Sequence, residues 1–229
     1  MHVPDGFINA PVSLAAGAVA IAGVAVCIRG ARQELDDRTA PMAGLVAAFV
    51  FAVQMLNFPV AAGTSGHLLG GALAAILVGP YTGALCVSVV LLVQALAFAD
   101  GGLSALGINI ILMAFVTVIV AWAVFTALTR VLPRSKGSVV AASFVAALLS
   151  VPASAMAFVA LYAVGGVTDV PLGEVAAAMV GVHFLIGIGE ALITAATVGS
   201  VLAVRPDLVY GARGLLPSPT LRTGTVSTA

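Results

Sequence analysis

Apolar residues run through the chain in seven stretches, Val12–Ile28, Met42–Val60, His67–Gly79, Tyr81–Phe98, Leu103–Val131, Val139–Val164 and Leu172–Val204. The longer stretches match the roughly 20 residues that a helix needs to cross a hydrocarbon core about 30 Å thick. The third is short, and Pro80 separates it from the fourth. A proline ends or kinks a helix, because it lacks an amide donor and clashes with the preceding turn. The pattern predicts an all-α, polytopic membrane bundle of about seven transmembrane helices.

Composition supports that prediction. Hydrophobic residues make up 62% of the chain and charged residues 8%, with a mean hydropathy of +1.20. A chain of 229 residues in water could not hide so much apolar surface, whereas a bilayer removes the need. Cys27 and Cys86 lie within apolar runs and read as packing residues, not as a disulfide framework or thiolate site. Phe58, Phe98, Phe115, Phe125 and Trp122 read as lipid-facing or core residues. Glycine and alanine fill many spans, for example Gly70–Ala75 and Gly187–Ala191. Small residues of this kind let helices approach closely in lipid.

Charge assigns the orientation. With seven crossings, Arg29, Arg32, Arg38, Arg130, Arg134, Lys136, Arg205, Arg213 and Arg222 all fall on one side. The positive-inside rule makes that side cytoplasmic. The opposite loops carry Asp5, Asp100, Asp169 and Glu174. The N-terminus is therefore expected outside and the C-terminus in the cytoplasm. Residues 1–206 are expected to form one transmembrane domain and 207–229 a flexible cytoplasmic tail. The opening MHVPDGFINAP has no basic segment before the first apolar run, so no cleaved signal peptide is expected. No G-x-x-x-x-G-K-[ST] loop occurs, and any ATP-driven motor would be another chain.

The three histidines are the candidate chemistry. At His2, the α-amine of Met1, the His2 amide and its imidazole can form two fused chelate rings. A fourth nitrogen from His67 would complete a planar set, a geometry that suits Ni(II), Cu(II) or low-spin Co(II). The alternative is that His2 is only an early residue in a loose terminus. His67 sits in AAGTSGHLLGG, where glycines let the backbone turn sharply; it could equally be an interfacial histidine bonded to water. His183 and Glu190, in VHFLIGIGEALIT, lie about two turns apart on one helix face. Ionisable residues at bilayer depth are functional candidates. Gln54, Asn57, Gln94 and Asn109 could face them, either as a packing network or as support for a metal ligand.

MHVPDGF, SGHLLGG around His67 and HFLIGIGEALIT near the end resemble the CbiM/NikM family, the substrate-binding membrane components of energy-coupling-factor cobalt and nickel transporters. The resemblance runs from Met1 to about Pro206. It implies six shared helices plus an additional N-terminal one. It implies metal ligands at the Met1 amine, at His2 through amide and imidazole, and at His67. Ser65, Asn109, His183 and Glu190 would then take supporting or polar-network roles. The cargo would be Co2+ or Ni2+, with cobalt favoured, and no organic cofactor. Implied partners are a transmembrane coupling subunit, ATPase subunits that drive toppling of the bundle, a small accessory membrane subunit and the lipid bilayer, with no nucleic acid. Where some family members carry an extra C-terminal domain, this chain has RGLLPSPTLRTGTVSTA. The competing reading is an intramembrane serine protease, with Ser65 of a G-x-S-G pattern as nucleophile and His183 as base. A non-transporting metal sensor is a further alternative.

Overall fold

The computed structural model describes residues 1–36, 39–59 and 65–216. Seven helices form the bundle: α1 (Ala10–Glu34), α2 (Ala40–Gln54), α3 (Gly71–Val78), α4 (Pro80–Ala97), α5 (Leu106–Val131), α6 (Lys136–Gly165) and α7 (Leu172–Val204). A two-residue antiparallel ladder, Phe58–Pro59 against Ser65–Gly66, is the only sheet among the described residues. Asn9 caps α1 by accepting the Val12 amide, and Ser135 caps α6 by accepting that of Ser138. Prolines occupy the first turns of α1, α2 and α4, where a missing amide donor costs nothing.

Helices α1, α4, α5, α6 and α7 are long and apolar enough to cross a membrane. Their outer faces expose Leu14, Ile21, Ile119 and Leu192, as lipid contact requires. Helix α2 has 15 residues and α3 only 8, lengths of about 22 Å and about 12 Å. The third apolar run therefore departs from a simple span. His67 to Gly70 enter without helical structure, because Gly70 has φ +77°, a left-handed conformation that blocks helix propagation for other residues. Gly79, at φ +98°, ends α3 after two turns. The second run is likewise helical only to Gln54; its expected end at Val60 lies outside the described residues.

All eight residues of α3 are buried, and the other helices pack around it. Gly83 of α4 sits so close to α3 that an added Cβ would lie 2.7 Å from the Ala75 amide nitrogen. Helices α6 and α7 form the most extensive pairing. Pro152 lies inside the continuous α6, and Gly187 of α7 fits against Leu148, whose carbonyl oxygen an added Cβ would approach to 3.1 Å. Residues Ile110–Val116 of α5 form a π-helical stretch. Its Leu112 carbonyl accepts a 2.7 Å hydrogen bond from Ser154 of α6.

After α7 the chain does not leave the bundle at once. Pro206–Leu208 and Tyr210–Ala212 form short 3-10 turns, with Val209 and Ala212 buried and Gly211 under the Phe125 ring. The remainder of the expected tail, beyond Leu216, lies outside the described residues.

Glu34, at the end of α1, is buried. Its carboxylate accepts the amides of Tyr81 (3.1 Å) and Thr82 (2.7 Å), capping α4 where the helix dipole favours negative charge. Glu34→Ala is expected to lower stability by roughly 2 kcal/mol, since both amides lose their acceptor inside the protein. Thermal unfolding in detergent checks this; an unchanged midpoint would show that the cap carries no stability.

Candidate metal centre

The first nine residues form an extended segment that enters the bundle. Met1, His2 and Val3 are buried. The Val3 amide donates to Asn109 Oδ1 (2.8 Å) and its carbonyl accepts from Asn109 Nδ2 (3.3 Å) and from the Gly102 amide (3.0 Å). Asp5 accepts from the Ser104 amide at 2.8 Å. The Phe7 carbonyl accepts from Val167, and the Asn9 amide donates to Gly165. The segment is thus tied to the end of α4, the start of α5 and the end of α6. Gly101 and Gly102 permit this close approach: a Cβ on Gly101 would lie 3.0 Å from the His2 ring, and one on Gly102 would strike Asp5.

The His2 and His67 rings lie 4.5 Å apart between centroids. His67 is fully buried, and its Nδ1 is 2.8 Å from the Leu68 carbonyl. A carbonyl only accepts, so Nδ1 carries the proton and Nε2 holds a bare lone pair. His67 Nε2 has no partner among the described residues. His2 Nε2 is 3.2 Å from Gln94 Oε1, which places the proton on Nε2 and the lone pair of the neutral ring on Nδ1. That Nδ1 lies 3.0 Å from Asp100 Oδ1 but out of line for a hydrogen bond. When the ring is protonated instead, the same contact is an ion pair. A cavity of about 300 Å³ borders His2, Asp5 and the turn at 99–102.

Electrostatics favour neutral nitrogen donors. Burial holds the Met1 amine well below its ordinary pKa, against the raising effect of Asp100. Burial also holds His67 well below the usual imidazole range, and the neighbouring amine and His2 add to the effect. Asp100 is held below the normal carboxylate value chiefly by the His2 imidazole. Both the amine and His67 can therefore offer lone pairs at neutral pH, which transition-metal binding requires. Among the described residues, no group of three His, Cys, Asp or Glu side chains forms a metal cage.

The non-helical stretch that presents His67 is fastened by polar side chains of neighbouring helices. Glu190 of α7, 3% exposed, accepts the Leu69 amide (2.6 Å) and the Gly70 amide (3.0 Å). Gln54 of α2 donates to the Leu69 carbonyl at 2.7 Å. His183 is on the same buried stripe of α7 as Glu190. Its Nδ1 is bonded to the Met179 carbonyl (2.7 Å), and its Nε2 is a further buried imidazole nitrogen without a hydrogen-bond partner among the described residues.

Met1, His2 and His67 are thus brought to one place, and Glu190 reaches the His67 segment. Gln94 and Asn109, expected to face His183 and Glu190, bond instead to His2 and Val3. Asn57 donates to Asp100 at 3.4 Å. Ser65 pairs through its backbone with Pro59, and its side chain lies outside what the structure describes. Asp100 was not singled out from the sequence as more than an outer-loop charge. Its position six residues after the intramembrane Gln94, on the side assigned to Met1, was the available signal.

These features define a multi-pass helical membrane protein with a buried, nitrogen-lined site near its N-terminus. A family described as the cobalt uptake substrate-specific transmembrane region matches residues 2–208, and the chain belongs to this family, CbiM, whose members are metal transport components and not enzymes. The chain is 37% identical over 210 residues to a Haloquadratum walsbyi protein named as a metal transport protein, covering 92% of this chain and 94% of that one. It is 40% identical over 211 residues to an Archaeoglobus fulgidus protein named as a fused nickel transport protein, NikMN, covering 91% of this chain and 68% of the relative. A crystal structure of a transition metal transporter superposes with a TM-score of 0.82 at 27% identity, covering 89% of this chain and 93% of that one.

Glu190→Ala is expected to free the Leu69 and Gly70 amides and let the His67 segment move. Metal affinity should fall about ten-fold or more, in the range seen when support behind a metal ligand is removed. Glu190→Gln, which keeps one acceptor oxygen, should lose less. Titration calorimetry of both variants reads the order, and equal affinities in all three proteins would remove Glu190 from any role at the site.

Proposed function

We propose that this chain is the metal-capturing membrane component of an ATP-driven cobalt or nickel uptake transporter, with cobalt favoured. The observation that carries the reading is the closeness of the His2 and His67 rings, 4.5 Å between centroids, with His67 Nε2 left without a partner among the described residues, beside the buried Met1 terminus. The Met1 amine, the His2 amide and imidazole, and His67 Nε2 would supply four nitrogens to the cargo ion. Planar nitrogen sets suit Ni(II) and low-spin Co(II). Deprotonating the His2 amide offsets one positive charge of the ion, and Asp100 beside His2 offsets more. Gln94 orients the His2 ring, while Asn109 fixes the main chain next to it.

In this reading residues 1–206 form a single substrate-binding membrane domain, with the N-terminus outside and the tail in the cytoplasm. Support comes from the way the two ends differ. The ends of α1 and α5 and the turns after α7 bring Arg130, Arg134 and Arg213 to one cavity, whereas Asp5 and Asp100 line the cavity beside His2. Partner ATPases, acting through a transmembrane coupling subunit and with a small accessory membrane subunit, would drive release. Release requires the N-terminal segment to part from Asn109, Gly102 and Ser104, because those bonds close the site from the loop side. Ser65 and His183 are assigned no protease role.

Titration calorimetry with elemental analysis tests the site on the purified native chain, on His2→Ala and on a chain with one residue added before Met1. Binding of Co(II) or Ni(II) by the native chain is expected to vanish in both variants. Binding that survives the added residue would exclude the amine from the ligand set. Cellular metal accumulation with and without the ATPase partners tests the transport reading. Accumulation independent of those partners would refute the ATP-driven role.

A further inference from the structure

At the end of the bundle away from His2, a cavity of about 610 Å³ opens between the ends of α1 and α5 and the turns that follow α7. Arg130, Arg134 and Arg213 line it, and no Asp or Glu does so among the described residues. All three arginines are exposed. None forms an ion pair with a described residue; Arg213 stacks over the Tyr210 ring at 4.9 Å. Three guanidinium groups around one cavity, with no counter-charge among the described residues, repel each other, a cost that is recovered when an anion enters.

The wall of this cavity is shared. Trp122 and Tyr210 also line a second space of about 700 Å³ between α1, α4 and α5, where Val26, Phe115, Val118 and Ile119 present apolar surface. Val26 and Ile119 are strongly exposed on helices that are long enough to cross the membrane, so the second space faces the acyl region. Its one carboxylate, Glu34, is already occupied by the Tyr81 and Thr82 amides. A cationic pocket thus adjoins an apolar groove across two amphipathic aromatic rings, the side chains that favour the headgroup level of a bilayer.

We propose that the two spaces together bind one anionic phospholipid. Its phosphate lies among Arg130, Arg134 and Arg213, and an acyl chain lies along Phe115, Val118 and Ile119. Guanidinium groups match phosphate oxygens through paired hydrogen bonds, and basic pockets between transmembrane helices are suited to anionic headgroups. A soluble anion accounts for the arginines but leaves the apolar groove unfilled. An apolar partner helix fills the groove but leaves three guanidinium groups without counter-charge.

Trp122 is the single tryptophan of the chain and stands at the junction, so it reports binding directly. The full chain is reconstituted in phosphatidylcholine vesicles containing a minor fraction of either brominated phosphatidylglycerol or brominated phosphatidylcholine. Trp122 quenching then gives the relative association of each lipid. The brominated phosphatidylglycerol is expected to quench more strongly. Each arginine changed to glutamine should reduce that preference about five-fold, from about 1 kcal/mol per basic residue near an anionic surface. The triple Arg→Lys variant should retain most of the preference while the triple Arg→Gln variant loses it, with the helical circular dichroism of both unchanged. Equal quenching by the two lipids would overturn the proposal and leave the pocket to an acidic protein segment. A preference that persists in the triple glutamine variant would also overturn it. So would displacement by inorganic phosphate beyond the effect of chloride at equal ionic strength, which would assign the arginines to a free anion.

Discussion

Main-chain amides and carbonyls that leave helical geometry inside an apolar bundle must find other partners, because no water is there to take them. Two stretches of this protein do so side by side: residues 66–70, which carry His67, and residues 1–3. Three polar side chains of the helices are accounted for by this need. Glu190 takes the Leu69 and Gly70 amides, Gln54 takes the Leu69 carbonyl, and Asn109 takes both polar groups of Val3. The His67 side chain bonds the Leu68 carbonyl, and in doing so sets its own tautomer. The same requirement that holds the backbone open therefore aims the Nε2 lone pair. Support and the proposed chemistry are joined in one hydrogen-bond set, so that even a site with few side-chain donors would be stiff.

The helical pattern was legible because apolar runs bounded by Pro, Gly and charge leave few other readings. Six of the seven runs correspond to helices whose bounds differ from the hydropathy edges by a few residues or, for α2, by an early stop. The third was legible as short and broken off before Pro80, as α3 is, but periodicity cannot show that Gly70 adopts positive φ, nor that Glu190, 120 residues away, will take its amide. His2, His67 and Glu190 were legible as candidates by type and position. Their partners were not. Gln94 and Asn109 were expected to face α7, but they bond to the N-terminal segment, since nothing in MHVPDGF tells how deeply it enters. Asp100 shows the same limit, because its importance comes from a turn at Ala99–Gly102 that folds back over His2.

The two ends of the bundle are chemically opposed. Around His2, burial disfavours protonated nitrogen, acidic side chains stand nearby and glycines bring main chain close. At the far end, arginines gather around a cavity lined by Trp122 and Tyr210, and the chain after α7 folds under Phe125 rather than leaving. Helices α1, α5 and α7 run between these ends without a charged residue in their middle turns, apart from Glu190 on α7, which is committed to backbone.

Helix α3 has a consequence for sequence variation. It carries no polar side chain, yet all eight of its residues are enclosed. Glycines with positive φ stand at both its ends, and Gly83 lies against its backbone. Added volume has nowhere to go, and lost volume leaves a void that no neighbour is free to fill. The part of the molecule least able to drift is thus the one that performs no chemistry. Surveyed across many substitutions, a plain run of Gly, Ala, Leu, Ile and Val would stand out as sharply as the histidines.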